Sequence, residues 1–165
     1  MTAKAYYYYG TSGWTSSVLQ DYGGSLTWVQ LQSCGDHLSW SLTDGQLTVL
    51  GTGDMLNYSA GNLPPWYGRR GEITSVYLSN FTVEGIGAYA FYNCTNLTRV
   101  LVGVNVARIG NYAFRGCTAL QDVVFLGSAP AFAANAFYNV TVTAHYPATD
   151  SSWTAFLWRA SQISE

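Results

Sequence analysis

The chain has 165 residues, of which 48% are hydrophobic, 16% aromatic and only 10% charged, with a formal net charge of −2. That length suits one ordinary domain burying roughly 70% of its unfolded surface, and so low a charged fraction leaves Ser, Thr, Asn, Gly and Tyr to face water. Seven scattered Lys and Arg make no basic stripe for phosphates, which excludes nucleic acid as a partner, and no apolar run approaches the ~18 residues of a membrane span.

Residues 1–33 come first. Met1 to Gly13 carries neither the basic nor the apolar part of a secretion signal, so the chain reads either as cytosolic or as a piece of something longer. The stretch Ala5-Tyr-Tyr-Tyr-Tyr-Gly-Thr-Ser-Gly-Trp14-Thr15 parallels Ala144-His-Tyr-Pro-Ala-Thr-Asp-Ser-Ser-Trp153-Thr154 at an offset of 139. In both, apolar residues follow the Trp at i+4 and i+5: Val18 and Leu19, then Leu157 and Trp158. Each end therefore reads as a strand leading into a short amphipathic helix, and residues 1–33 as the tail (strand, short helix, strand) of a preceding tandem module. Duplicated ends also imply head-to-tail self-association.

Residues 34–72 read as a β-hairpin cap and a loop. His37-Leu-Ser-Trp-Ser-Leu42 and Gln46-Leu-Thr-Val-Leu50 alternate apolar and polar residues across Asp44-Gly45, a strong two-residue hairpin signal. Leu38, Trp40, Leu42, Leu47 and Val49 would cover the open end of a following repeat. The segment from Asn57 to Gly71, with Gly61, Pro64, Pro65 and Gly68, reads as an irregular loop.

Residues 73–142 are a repeat. Ile86-Gly-Ala-Tyr-Ala-Phe-Tyr-Asn-Cys94-Thr-Asn-Leu97-Thr-Arg-Val100 recurs as Ile109-Gly-Asn-Tyr-Ala-Phe-Arg-Gly-Cys117-Thr-Ala-Leu120-Gln-Asp-Val123, 23 residues later at every position. A divergent third copy places Phe132, Ala136, Phe137 and Val140 in the same frame. The triplets Ile73, Val76, Leu78; Leu97, Val100, Val102; and Leu120, Val123, Phe125 predict short strands with one face inward, stacked in parallel. Ile86, Ala90, Phe91 and Cys94 fall on one side of a predicted helical arc closing the coil. Small Ala90, Ala113 and Ala136 beside large Phe91, Phe114 and Phe137 predict a phenylalanine column through the core. The same period sets Arg99 beside Asp122, an exposed pair contributing at most ~1 kcal/mol.

The Ile-Gly-x-Tyr-Ala-Phe-x-x-Cys-Thr-x-Leu-x-x-Val unit resembles the BspA-like leucine-rich repeat family over residues 73–142. The resemblance implies a short right-handed α/β solenoid of about three 23-residue coils, to which the residue patterns add the hairpin cap at its start and the duplicated strand–helix elements at both ends. It also implies a secreted or cell-surface bacterial protein associated with adhesion and protein binding, here a binding or spacing module.

Residues 143–165 hold the second copy of the strand–helix element and a polar ending. Catalytic patterns are lacking: His37 and His145 stand in strand positions away from any nucleophile motif, and the nine carboxylates are scattered. No enzyme activity and no cofactor is expected. Three cysteines without C-x-x-C spacing argue against a metal. Cys94 and Cys117 share a repeat position that Val140 fills in the next coil, so both are expected as buried free thiols, with a disulfide between stacked coils as the rival. Cys34 reads as structural or incidental. Five Asn-x-Ser/Thr sequons begin at Asn57, Asn80, Asn93, Asn96 and Asn139, which chance explains in so Asn- and Thr-rich a chain.

The aromatics exceed what so small a core needs, and Tyr7, Tyr9, Trp66 and Tyr67 are the candidate interaction residues, because such side chains offer area with a polar tip. The plainer reading packs alternate tyrosines of the Tyr6–Tyr9 run and Trp14 inward. The expected role is binding a protein or host-surface ligand through the strand face and loops. One alternative is a carbohydrate module built on exposed Trp66 and Tyr67, and another is a self-assembling structural unit joined through the duplicated ends.

Overall fold

Asp44 and Gly45 both adopt positive φ, +50° and +79°, the paired left-handed conformation that matches a two-residue turn to the twist of its strands. Strands β3 (His37–Thr43) and β4 (Gln46–Asp54) pair antiparallel across it, Thr43 opposite Gln46 and Trp40 opposite Val49. The computed structural model describes residues 3–8, 15–20, 22–78 and 82–154. In that range β1 (Ala3–Tyr8) pairs parallel with β2 (Leu26–Ser33), which joins β3 antiparallel through Gln32–Trp40 and Ser33–Ser39.

From β4 onward the chain coils. Strands β5 (Ser75–Leu78), β7 (Arg99–Val102), β9 (Asp122–Phe125) and β11 (Thr143–His145) add in parallel, giving the order β1-β2-β3-β4-β5-β7-β9-β11. A second parallel row that the sequence reading missed runs β4-β6-β8-β10, with β6 at Val83–Ile86, β8 at Arg108–Ile109 and β10 at Ala131–Phe132. These strands are as short as two residues, and their bonds come from the neighbouring coil. Ile86 lies opposite Ile109, and Ile109 opposite Phe132. Successive coils approach so closely here that a methyl group on Gly110 would collide with the Ala88 backbone of the preceding coil, which explains the repeated Ile-Gly pair.

The core lies between the two rows. Leu47, Val76, Val100 and Val123 align in register and are buried. The hairpin therefore shares the core of the repeat, with Leu38, Trp40, Leu47 and Val49 all buried. Phe91 and Phe114 are fully buried, while Phe137 is half-buried in the last coil. Their rings stack at 5.2 and 4.8 Å between centroids, close to the ~4.8 Å spacing of hydrogen-bonded strands.

The arcs from Gly87 to Cys94 and Gly110 to Cys117 are turns, which corrects the helical expectation. A helix would spend each N–H on its own chain, four residues back. Here the Tyr89, Phe91 and Asn93 amides donate instead to the Asn111, Ala113 and Arg115 carbonyls of the next coil, at 3.1, 2.8 and 2.8 Å. Tyr89, Asn93 and Tyr112 take positive φ of 55–56° to allow it. Ala90, Phe91 and Cys94 still point inward and are buried. Among the described residues, helix is confined to a 3-10 turn at Tyr67–Glu72, at the end of the predicted irregular loop, and one α turn at 151–154. No helix among the described residues is long and apolar enough to cross a membrane.

Of the duplicated ends, Thr15 accepts from the Val18 and Leu19 amides in a single turn, and Trp14 lies outside the described residues. Asp150 caps the 151–154 turn by accepting from the Ser152 amide at 2.9 Å and takes a second bond from the Ser128 hydroxyl at 2.7 Å. Trp153 is buried, stacks on Tyr146 at 4.9 Å and donates to the Gly127 carbonyl at 3.0 Å. Beyond the last coil the core opens into an apolar cleft of about 580 Å³ lined by Phe132, Phe137, Val140, Val142, Tyr146 and Trp153.

A candidate aromatic interaction surface

The period that aligns the core also aligns what the arcs turn outward. Tyr92, Arg115 and Tyr138 occupy one repeat position in three successive coils, two residues before Cys94, Cys117 and Val140. Coil stacking therefore threads the Arg115 guanidinium between two rings, 5.9 Å from the Tyr92 centroid and 5.2 Å from that of Tyr138. Tyr112, three positions earlier in the same arc, stands 5.1 Å to one side. Both distances and composition fit cation–π contact.

The column continues towards the cap. Tyr67 stacks on Tyr92 at 6.4 Å with the planes 10° apart, and the Arg70 guanidinium covers the Tyr67 ring at 4.1 Å. A parallel column joins at Tyr89, whose ring is 5.3 Å from Tyr92 and 5.2 Å from Tyr112. The strip thus reads Arg70, Tyr67, Tyr92, Arg115, Tyr138, flanked by Tyr89 and Tyr112. Its side chains are half-buried, and Tyr138 is exposed. Beside it a groove of about 520 Å³ is lined by Arg70, Asn93, Thr95 and Thr118.

The strip is positively charged on a net-negative chain. Arg69 takes up the nearby carboxylate: its guanidinium binds Glu72 through two oxygens at 2.7 and 3.0 Å, and its hydrogen bonds hold the Glu72 carboxyl below the usual range. Arg70 donates to the Tyr67 carbonyl, and no carboxylate among the described residues forms an ion pair with it.

The sequence-predicted residues fare differently. Trp66 is fully buried: its indole N–H donates to the Ala90 carbonyl at 2.8 Å and its ring stacks on Phe91 at 5.8 Å. It extends the phenylalanine column and cannot meet a ligand, which corrects its assignment as an interaction residue and removes the sugar platform it was to form with Tyr67. Tyr67 does line the outer strip. Tyr7 is half-buried on β1 with its ring against Trp28 at 6.5 Å, and Tyr9 lies outside the described residues. Tyr89, Tyr92, Tyr112, Arg115 and Tyr138 were not singled out from the sequence, although running the 23-residue offset along the arcs would have assembled them.

The remaining polar candidates are structural in setting. Arg99 does stand opposite Asp122, but the Asp122 carboxylate is bonded to His145 on β11 at 2.7 Å. Cys34, Cys94 and Cys117 are buried free thiols. Burial pushes Cys34 and Cys117 up to about 12 and raises Cys94 as well. The Cys117 thiol donates to the Phe91 carbonyl at 3.0 Å. Among the described residues no group of three His, Cys, Asp or Glu side chains is placed to hold a metal.

This geometry can be set beside known proteins. Residues 68–150, just over half of the chain, match the family model described as BspA type leucine-rich repeat region. The crystal structure of a leucine-rich repeat protein from Eubacterium ventriosum superposes with a TM-score of 0.50 at 28% identity, covering 66% of this chain. The chain spans about a third of that protein's length, 35%. A search of curated proteins finds no match. With its parallel coils, its inward Phe column and its Ile-Gly close approach now visible, the chain belongs to the BspA-type leucine-rich repeat family.

Proposed function

We propose that the chain is a non-catalytic binding module of a secreted or cell-surface protein, recognising a protein partner on a host surface in adhesion. The observation carrying this reading is the outward strip of five tyrosines and two arginines. Rings already held by stacking lose little rotamer freedom on binding, and Tyr and Arg are enriched where interfaces concentrate their energy. Family membership supports a repeat module that binds rather than catalyses. The rings of Tyr89, Tyr92, Tyr112 and Tyr138 meet at 58–83°, an uneven relief that suits protein side chains better than the flat face of a sugar.

The test is retention of protein-coated beads on an epithelial cell layer. Wild-type beads should be held several-fold better than beads carrying Tyr92→Ser/Tyr138→Ser, and trypsin treatment of the cells should abolish the difference. Equal retention of both bead types would overturn the reading.

Self-association is a second reading, favoured by one observation: the duplicated strands are the two edges of the main sheet, β1 at one side and β11 at the other. Among the described residues neither strand is paired on its outer side, so copies can add head to tail. Light scattering should show mass rising with concentration in the wild type and not in Ala144→Pro. The proline removes an outward N–H, since the preceding Thr143 amide already faces β9 by donating to Gln121 at 2.8 Å. A constant monomer mass up to millimolar concentration would exclude it.

A further inference from the structure

We infer that the strip recognises an acidic segment of its protein partner, with Arg115 as the residue that receives a carboxylate. The inference rests on the reading that this face binds a partner, and it adds which chemistry the partner presents. Three features carry it. Arg115 is held in place by Tyr92 and Tyr138 above and below and by Tyr112 beside it, 5.1–5.9 Å from each centroid. Stacking occupies the faces of a guanidinium and leaves its N–H edge free for a planar acceptor, which suits bidentate binding of a carboxylate.

Second, no hydrogen-bond or ion-pair partner for the Arg115 guanidinium is present among the described residues. The arginines that do form ion pairs among the described residues, Arg69 and Arg108, have Glu72 and Asp54 as their carboxylates. A cation stripped of part of its hydration by rings and left without an internal counter-charge gains most from an external one. Third, Arg70 stands at the other end of the same column, on Tyr67. Two charges separated by the Tyr67–Tyr92 stack favour a run of acidic side chains over a single anion. The tyrosine rings between them offer apolar area to the carbon stems of such a segment.

Deca-glutamate labelled with fluorescein is the probe, with deca-glutamine and a hyaluronan oligosaccharide as comparisons. Anisotropy should show deca-glutamate binding at least tenfold tighter than deca-glutamine and weakening several-fold between about 20 and 200 mM salt. In the NMR spectrum the Arg115 Nε–H resonance should shift on titration. Arg115→Gln should lower affinity about tenfold or more, Arg115→Lys should recover only part of it, and Arg70→Gln should lower it several-fold. Thermal melts of each variant establish folding. Equal binding of deca-glutamine, unchanged affinity in Arg115→Gln, or binding of the oligosaccharide alone would overturn the inference. The bead assay separates the two readings: cell retention that survives Arg115→Gln but not Tyr92→Ser/Tyr138→Ser defeats the acidic-segment inference and leaves the binding surface standing.

Discussion

Trp66 donates its indole N–H to the Ala90 carbonyl at 2.8 Å while its ring lies on Phe91. The loop before the repeat is therefore anchored in the first coil by one side chain that supplies both apolar area and a bond to a buried acceptor. Replacing Trp66 by Ala should cost about 3–5 kcal/mol. Trp66→Phe should cost about 1–3 kcal/mol, because it keeps part of the stack but leaves the carbonyl unpaired. Urea melts check both; an unchanged midpoint in Trp66→Ala would contradict the anchoring.

The column should lose strength towards its open end. Phe114 is buried between two rings, so Phe114→Ala should cost ~3–5 kcal/mol. Phe137 has a neighbouring ring on one side and the cleft on the other, and Phe137→Ala should cost less than half as much. Denaturant midpoints in the reverse order would mean that the cleft residues carry the fold.

The thiols should be silent in the native protein and exert their effect at alkaline pH. At pH 8 a thiol reagent should label none of Cys34, Cys94 and Cys117 until denaturant is added. Unfolded thiols ionise above their ordinary value of 9.0, whereas buried Cys34 and Cys117 keep their protons up to about 12. Between those limits the native state holds more protons than the unfolded state, so stability falls as pH rises, by at most about 1.4 kcal/mol per thiol per pH unit. Cys117→Val, which copies the residue the third coil already uses, should flatten that decline in melts followed from pH 8 to 11.

Acid should act at the C-terminal cap. The Ser152 hydroxyl, then the Ser128 hydroxyl and the Ser152 amide, hold the Asp150 carboxyl below its ordinary value of 3.8. The folded state then favours the ionised form, so this contribution is present above that value and is lost as pH falls through the lower folded one. Asp150→Asn should melt below the wild type at pH 7, and the two should converge near pH 2. A gap that persists in acid would mean that the charge is irrelevant there.

The repeat, the parallel strands and the inward Phe positions were legible because each follows from a spacing that recurs. The second row of strands was not, since Arg108–Ile109 and Ala131–Phe132 are too short to show any alternation and owe their form to the coils beside them. The arcs misled for a related reason: Ile86, Ala90, Phe91 and Cys94 do share one side, but a ladder to the next coil produces that as readily as a helix does. Trp66 stands 25 residues before Phe91, the ring it stacks on, two residues out of the 23-residue frame, so the repeat gave no hint that it continues the core. The outer strip was not legible because its repeat position changes type from Tyr92 to Arg115 to Tyr138, so no recurring residue marks the column.

The amide ladder between arcs has a mechanical corollary. Each coil is fastened to its neighbour by backbone bonds at the arc as well as along both strand rows, and within an arc the alternate amides of Ala90, Tyr92 and Cys94 close turns three residues back at 3.2–3.3 Å. Order is thus borrowed along the axis, one rung from the next. Amide hydrogens should exchange with deuterium slowest near Val76 and Phe91, faster around Phe114, and fastest at Phe137, where no following rung is present among the described residues, so that the molecule frays from one end like a coil of rope.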